Sequence, residues 1–165
     1  MIHPDLQKAL NQQINQEFTA AYNYLAMAAY FDNQNLDGFA NWMQLQHDEE
    51  QVHGMKLLRY LQDRGGEVLL EGIESPRREY GSPLEVFQVS LEMECENTAS
   101  INELYELSTK HNDHATTSHL QWFLDEQVEE EKNVEDVISL LERIGDDIAG
   151  LLYLNDKMGE REPEA

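Results

Sequence analysis

Four long segments of the chain repeat apolar residues at alternating steps of four and three, and each is interrupted near its middle by polar side chains able to bind a metal. The first runs Leu10, Ile14, Glu17, Ala21, Tyr24, Ala28, Phe31; the second runs Leu36, Phe39, Met43, Gln46, Glu50, His53, Leu57, Tyr60. The third runs Leu84, Phe87, Leu91, Glu94, Thr98, Ile101, Tyr105, Ser108. The fourth runs Thr116, Leu120, Phe123, Gln127, Glu130, Val134, Val137, Leu141, Ile144. This period is the seam of a packed α-helix, so the chain is expected to be all-α, a bundle of four long helices.

Start and stop signals divide the segments. Pro4 suits the first helical position of segment one, which is expected to reach about Phe31. Asp32-Asn33-Gln34-Asn35 reads as a short turn with a helix cap, and Gly65-Gly66 terminates segment two. Helices of roughly 28 residues span about 40 Å, and so short a connection makes the first two antiparallel. Residues 65–82 show no sustained period; extended, they reach about 60 Å, enough to return the chain to its starting end and leave helix three parallel to helix two. Ser82-Pro83-Leu84-Glu85 opens helix three with a capping box, and His111-Asn112-Asp113 turns the chain into helix four, which ends at Gly145.

Asp146 or Asp147 can cap a short fifth helix, about 147–158, carrying Ile148, Leu151, Leu152, Tyr153 and Leu154. It is too short to stand alone and too apolar to sit well in water, so it packs either on other subunits or on its own bundle. The tail, 159–165, is expected to fray. The chain therefore reads as one domain, 1–165, with its bundle at about 4–145.

Composition narrows the function. Among 165 residues, 33 are acidic and 11 basic, a formal charge of -22. Such a field repels nucleic acid and anionic membranes and attracts cations. One cysteine, Cys95, excludes an intramolecular disulfide or a thiolate-rich metal module. No apolar run is long enough to span a bilayer, and Met-Ile-His-Pro-Asp lacks the regions of a signal peptide, so a cytoplasmic location is expected.

In an up-down bundle, residues at mid-height meet at one level whichever way each helix runs. Four carboxylates (Glu17, Glu50, Glu94 and Glu130), the imidazole of His53 and the amide of Gln127 would thus share one layer. A single seam glutamate is ordinarily a partly exposed residue, and a lone Glu-x-x-His is a weak motif in a chain this acidic. Agreement of four helices in phase and height is what points to metal. Unpaired, each buried carboxylate costs several kcal/mol of desolvation, whereas two divalent ions would neutralise all four. Oxygen-rich ligands with one imidazole suit iron or manganese better than a closed structural zinc site. Tyr24, seven residues from Glu17, is placed to hydrogen-bond a ligand or give up an electron.

With these motifs the chain resembles the ferritins, specifically the haem-free bacterial ferritins. The likeness rests on Gln-Glu-Phe at Glu17, Asp-Glu-Glu-Gln-Val-His at 48–53, Met-Glu-Cys-Glu at 93–96 and Asp-Glu-Gln-Val-Glu-Glu-Glu-Lys at 125–132, and it extends over nearly the whole chain. It implies a ferritin-like four-helix bundle storing iron, with a ferroxidase centre in which Glu17, Glu50 and His53 hold one iron. Glu50 would bridge to a second iron held by Glu94 and Glu130, with Gln127 nearby. It further implies a third iron beside Glu49, Glu126, Glu129 and Glu130, a tyrosine at Tyr24 and a tryptophan at Trp122. A homo-oligomeric shell of 24 subunits is implied, with the fifth helix near its fourfold axes and dioxygen or peroxide as oxidant.

Related di-iron bundles carry Glu-x-x-His on two helices. Here helix four offers Gln127-x-x-Glu130 instead, and Gln51 stands where bacterioferritins have a haem-binding methionine, so no haem is expected. One cysteine cannot build the iron module of rubrerythrins, and the fifth helix sets the chain apart from mini-ferritins. Other readings are a di-iron oxidase acting on an organic substrate, a peroxide-detoxifying protein, or a non-catalytic acidic interaction module. An oxygenase needs an access pocket, and stripes filled by Phe, Leu and Tyr leave no obvious room for one. His114 and His119 are candidates for a pore lining, with a plain surface role as the alternative.

Overall fold

The computed structural model describes residues 2–163. Among them the chain forms α1 (Pro4–Asn33), α2 (Asp37–Asp63), α3 (Pro83–Lys110), α4 (His114–Ile144) and α5 (Ile148–Met158), and no strand. The caps explain the boundaries. His3 Nδ1 accepts the Asp5 N–H at 3.2 Å with Pro4 at the first turn, and Ser82 Oγ accepts the Glu85 N–H at 3.2 Å. The Glu85 carboxylate reaches back one residue further than a simple capping box, to the N–H of Gly81. Asp113 caps α4 through Thr116 N–H at 3.0 Å, and of the two candidates it is Asp147 that caps α5. Asn35 (φ 56°) and Asn112 (φ 54°) make the tight turns, in a left-handed conformation that asparagine tolerates.

Cross-helix contacts set the directions. Phe31 meets Phe39, and Ala21 O meets His47 Nδ1, so α1 and α2 are antiparallel. Tyr24 meets Glu94 and Phe31 meets Phe87, so α3 also runs against α1 and hence parallel to α2. Ser108 meets Thr117 and Thr98 meets Glu131, which makes α4 antiparallel to α3. The expected up-down-down-up order is the observed one.

On α1 and α2 the buried face follows the expected stripes from Leu10 to Phe31 and from Leu36 to Leu57. On α3 Phe87, Glu94, Ile101 and Ser108 of the expected stripe are buried, but the other edge of the buried face differs. Ser90, Asn97 and Leu104 are buried, while Leu91, Thr98 and Tyr105 are half-buried. The reason is that α3 packs on two neighbours: Ser90 and Asn97 face α1, bonding Met27 and Glu17, whereas Thr98 faces α4.

The crossover is tied down along its first half. Gln7, Asn11 and Asn15, spaced four apart on α1, act as a ladder of amides beside it. Asn11 Nδ2 donates to Glu67 O (2.8 Å) and Asn11 Oδ1 accepts Leu69 N–H (2.7 Å). Asn15 repeats the pattern with Leu69 O and Glu71 N–H, both at 2.8 Å, and Gln7 Oε1 accepts Glu67 N–H at 3.1 Å. These side chains satisfy backbone groups that neither helix nor sheet would otherwise pair.

α5 docks on its own subunit. Asn155 Oδ1 accepts the N–H groups of Gly38 (3.0 Å) and Phe39 (3.2 Å) at the start of α2, while Leu154 and Met158 join the core. The approach is so close that a Cβ at Gly38 would lie 1.6 Å from Asn155 O. Ile148, Leu152 and Tyr153 stay exposed. The tail departs from expectation: Arg161 is half-buried and bonded to α2, while Glu164 and Ala165 lie outside the described residues.

Two apolar clusters fill the bundle. One gathers Phe31, Phe39, Met43, Phe87 and Val134 at one end, and the other gathers Leu10, Ile14, Leu57, Ile101 and Phe123 at the opposite end. Between them lies a polar layer.

Candidate metal centre

The middle turns of α1–α4 carry Glu17, Glu50, His53, Glu94, Gln127 and Glu130 into this layer, none more than 3% exposed. Glu17, Glu50 and His53 each place a ligating atom within 4.8 Å of the other two, and His53, Glu126 and Glu130 form a second such group. Glu94 belongs to neither group. Its Oε1 accepts the Tyr24 hydroxyl at 2.5 Å and its Oε2 accepts Gln127 Nε2 at 3.3 Å.

Glu50 is the centre's electrostatic anomaly. Among the described residues no amide or hydroxyl donates to either of its oxygens; His53 Nδ1 stands 3.4 Å away, and the Glu17 carboxyl lies close enough to share a proton with it. A buried carboxylate without such donors is costly unless it is protonated or meets a cation. Burial, then the charges of Glu17 and Glu94, push its pKa well above the usual carboxylate range. Burial, then Glu94, does the same to Glu130, and burial raises Glu94 to about 7 even though Tyr24 and Gln127 oppose the shift. Tyr24, fully buried beside Glu94, is held well above the ordinary phenol range, first by burial. Without a cation the layer holds protons; with one, those protons leave.

Uncharged amides orient the buried carboxylates, and the stripe pattern missed two of these amides. Gln13 Nε2 donates to Glu17 Oε1 (2.8 Å) and Asn97 Nδ2 to Glu17 Oε2 (3.2 Å), while Ser100 Oγ holds Gln13 Oε1 at 2.6 Å. Gln46, on the expected stripe but given no role, donates to Glu130 Oε2 at 2.7 Å. Gln13 lies one turn before Glu17 and Asn97 one turn after Glu94, a spacing that marks them once the carboxylates are known.

The residues matched to a third iron are only partly gathered. Glu126 stands 3.7 Å from His53 Nε2 and shares the second group with Glu130. Glu49 is ion-paired with Arg161 at 2.9 Å, and Glu129 is exposed, lining a shallow cleft with Trp42 and Arg161. Where the apolar stripes were expected to leave no obvious room for an access pocket, a cleft of about 280 Å³ reaches the layer, lined by Leu45, Asp48, Glu49, Val52, His53, Trp122, Glu126 and Pro163. Trp122 packs its edge near His53 (centroids 5.3 Å, 76°), with Lys56 Nζ 3.2 Å from the centroid of its ring.

His119 stacks on Tyr60 (3.9 Å, 10°), and burial, then Lys56, lowers its pKa; His114 is exposed. His3, Asp5 and His111 also bring ligating atoms within 4.8 Å, but the two rings are stacked at 3.8 Å and 26°. Lone pairs lying in such nearly parallel planes do not converge on one ion.

A crossover-linked bundle around a buried layer of carboxylates and one imidazole defines a ferritin-like protein with a metal-competent centre. The chain matches the family described as Ferritin-like domain over residues 7–144 and belongs to the ferritin family. It is 48% identical over 157 residues to a bacterial non-heme ferritin of Staphylococcus epidermidis, covering 95% of this chain and 94% of that one. It is 43% identical to the bacterial non-heme ferritin of Staphylococcus aureus, over 98% and 97% of the two chains. A solved structure of Archaeoglobus fulgidus ferritin engineered into a closed form superposes with a TM-score of 0.97 at 43% identity, over 99% of this chain and 100% of that one.

Among the described residues, no helix is long and apolar enough to cross a membrane.

Proposed function

We propose that this protein stores iron and oxidises it at the mid-bundle layer, as one subunit of a 24-subunit shell in the cytoplasm. Ferrous ions are the substrate. Glu17, Glu50 and His53 hold one, Glu94 and Glu130 hold the other, and Glu50 lies between them. Each ion gives up one electron, and dioxygen takes both with two protons to leave as peroxide, or peroxide serves as oxidant in turn. The protein's part is to bind, orient and manage protons. Glu50, Glu94 and Glu130 release protons as the ions enter, Gln127 steadies Glu94, and the Tyr24 hydroxyl keeps a proton beside the same carboxylate. Glu49, Glu126 and Glu129 form a third cation position at the rim, through which ferric product leaves for the mineral core.

The observation that carries this reading is Glu50, a buried carboxylate whose oxygens lack amide or hydroxyl donors, set among three other carboxylates. The cleft at His53 is walled by Leu45, Val52, Trp122 and Pro163 and carries Asp48, Glu49 and Glu126 among them, so three carboxylates lie along a path that a cation could follow to the layer. Aerobic ferrous oxidation tests it. Glu50→Ala with His53→Ala should slow oxidation sharply, and an unchanged rate would sink the centre.

A further inference from the structure

Arg161 lies beyond α5, yet its guanidinium reaches the rim of the metal layer. Nη2 donates to both oxygens of Glu49 at 2.9 and 3.1 Å, and Nη1 donates to Gln46 Oε1 at 2.6 Å. Gln46 then donates through Nε2 to Glu130 Oε2 at 2.7 Å. The pair is largely enclosed, with side-chain exposures of 18% for Arg161 and 14% for Glu49, and the guanidinium stands 4.8 Å from the Trp42 ring centroid. The backbone is held as well: Asn41 Nδ2 donates to Arg161 O at 3.3 Å, and Arg161 N–H donates to Met158 O at 3.3 Å. One fixed cation therefore grips a carboxylate at the rim and, through a single amide, one inside the layer.

We propose that Arg161 is the resident counter-cation of the rim, so that a third divalent ion gains Glu49 only by displacing the guanidinium and freeing the tail. This rests on reading Glu49 as part of the third cation position. A guanidinium nitrogen spanning both Glu49 oxygens and a divalent ion compete for the same two atoms and repel one another at close range. Arg161 thus sets a threshold: the rim fills last, after the paired positions, and only with an ion that Glu49 binds better than it binds arginine. Pro163, two residues further along, lines the cleft together with Glu49, His53 and Glu126. Displacing Arg161 therefore widens the same opening, and by linkage an opened tail favours the ion.

Anaerobic Zn2+ titration of the assembled protein, followed by calorimetry, tests this against Arg161→Gln, which removes the charge but keeps an amide facing Gln46. The weakest class of sites should tighten about tenfold in Arg161→Gln while the tighter classes change little. In the unsubstituted protein, hydrogen exchange at the amides of Gly159, Glu160 and Arg161 should speed up as that weakest class fills. An unchanged or weakened rim class in Arg161→Gln overturns the proposal, as does its absence from both proteins. So does tail exchange that ignores the metal, because Arg161 would then only strap α5 to α2. Glu50→Ala with His53→Ala reports separately on the paired centre: if that variant loses no tight Zn2+ class, the dinuclear reading fails whatever Arg161 does.

Discussion

Metal removal should expose an inverted pH dependence of stability, with Glu94 as its best-defined source. Burial pushes its carboxyl up to about 7 from an ordinary value of 4.5. Each tenfold change in proton affinity is about 1.4 kcal/mol, so a shift of this size, shared with the neighbouring carboxylates, is worth about 3 kcal/mol. Because the folded pKa is the higher one, the folded state binds the extra proton. The contribution is fully present below the ordinary value and is lost as pH rises through about 7. Glu50 and Glu130 are shifted the same way and carry the loss further up the scale. For a chain of this size, about 3 kcal/mol moves the melting temperature by about 10 °C. Divalent ions compete with those protons, so the gap between metal-loaded and metal-free protein should widen as pH rises across the window. Thermal melts with chelator and with Zn2+ measure it. Surface repulsion in so acidic a chain also grows with pH, and Glu94→Gln separates the two contributions: it should flatten the metal-free slope and reduce the gain from metal. A metal-free melting temperature that is level across the window, or a metal gap that narrows with rising pH, would refute the assignment of buried protonated carboxylates.

Tyr24→Phe removes a hydrogen bond that holds the Glu94 pKa down, so the pH midpoint of ferrous oxidation should move upward; a fixed midpoint would disconnect Tyr24 from the proton inventory. Arg64 binds Asp113 bidentately at 2.8 and 2.9 Å and keeps the Asp113 carboxyl down at about 2, joining the end of α2 to the cap of α4. Arg64→Ala should cost about 1–2 kcal/mol in denaturant melts, lost as pH falls through that low value, where Asp113 protonates in any case. Gly38→Ala should undock α5, read as faster exchange at the Gly38 and Phe39 amides, since its Cβ would collide with Asn155 O. Asn11→Ala should release the crossover at Leu69 while leaving the melting of α1–α4 nearly unchanged.

The fold was legible because its signals are local. Ser82-Pro83, Asp113 and Gly145 mark their own boundaries, and a seven-residue period needs no knowledge of partners. On α3 the expected stripe held at Phe87, Glu94, Ile101 and Ser108 and missed its other edge for a physical reason: a helix covered by two neighbours has a wide buried face, and its apolar edge (Leu91, Tyr105) outshouts its polar centre (Ser90, Asn97). Polar residues at buried positions look like surface in one dimension. That is why Gln13 and Asn97 were passed over and why the amide ladder at Gln7, Asn11 and Asn15 was invisible. Arg161 was harder still. It meets Glu49 across 112 residues of chain, and nothing in a short charged tail says that one of its cations will be buried.

The carboxylate layer was readable for the opposite reason. Mid-height is the only level at which helices running either way must agree, so four polar interruptions there are a single coincidence, not four separate ones. At the ends of a bundle the same glutamates would be hydrated, and their pKa values would report nothing. At mid-height they sit between two apolar clusters, where amides answer Glu17 and burial drives Glu50, Glu94 and Glu130 toward a proton or a cation. The position that makes buried carboxylates costly to the fold is therefore the position at which a divalent ion would offset that cost. Arg161 at the rim is where that demand is first met by the protein's own charge.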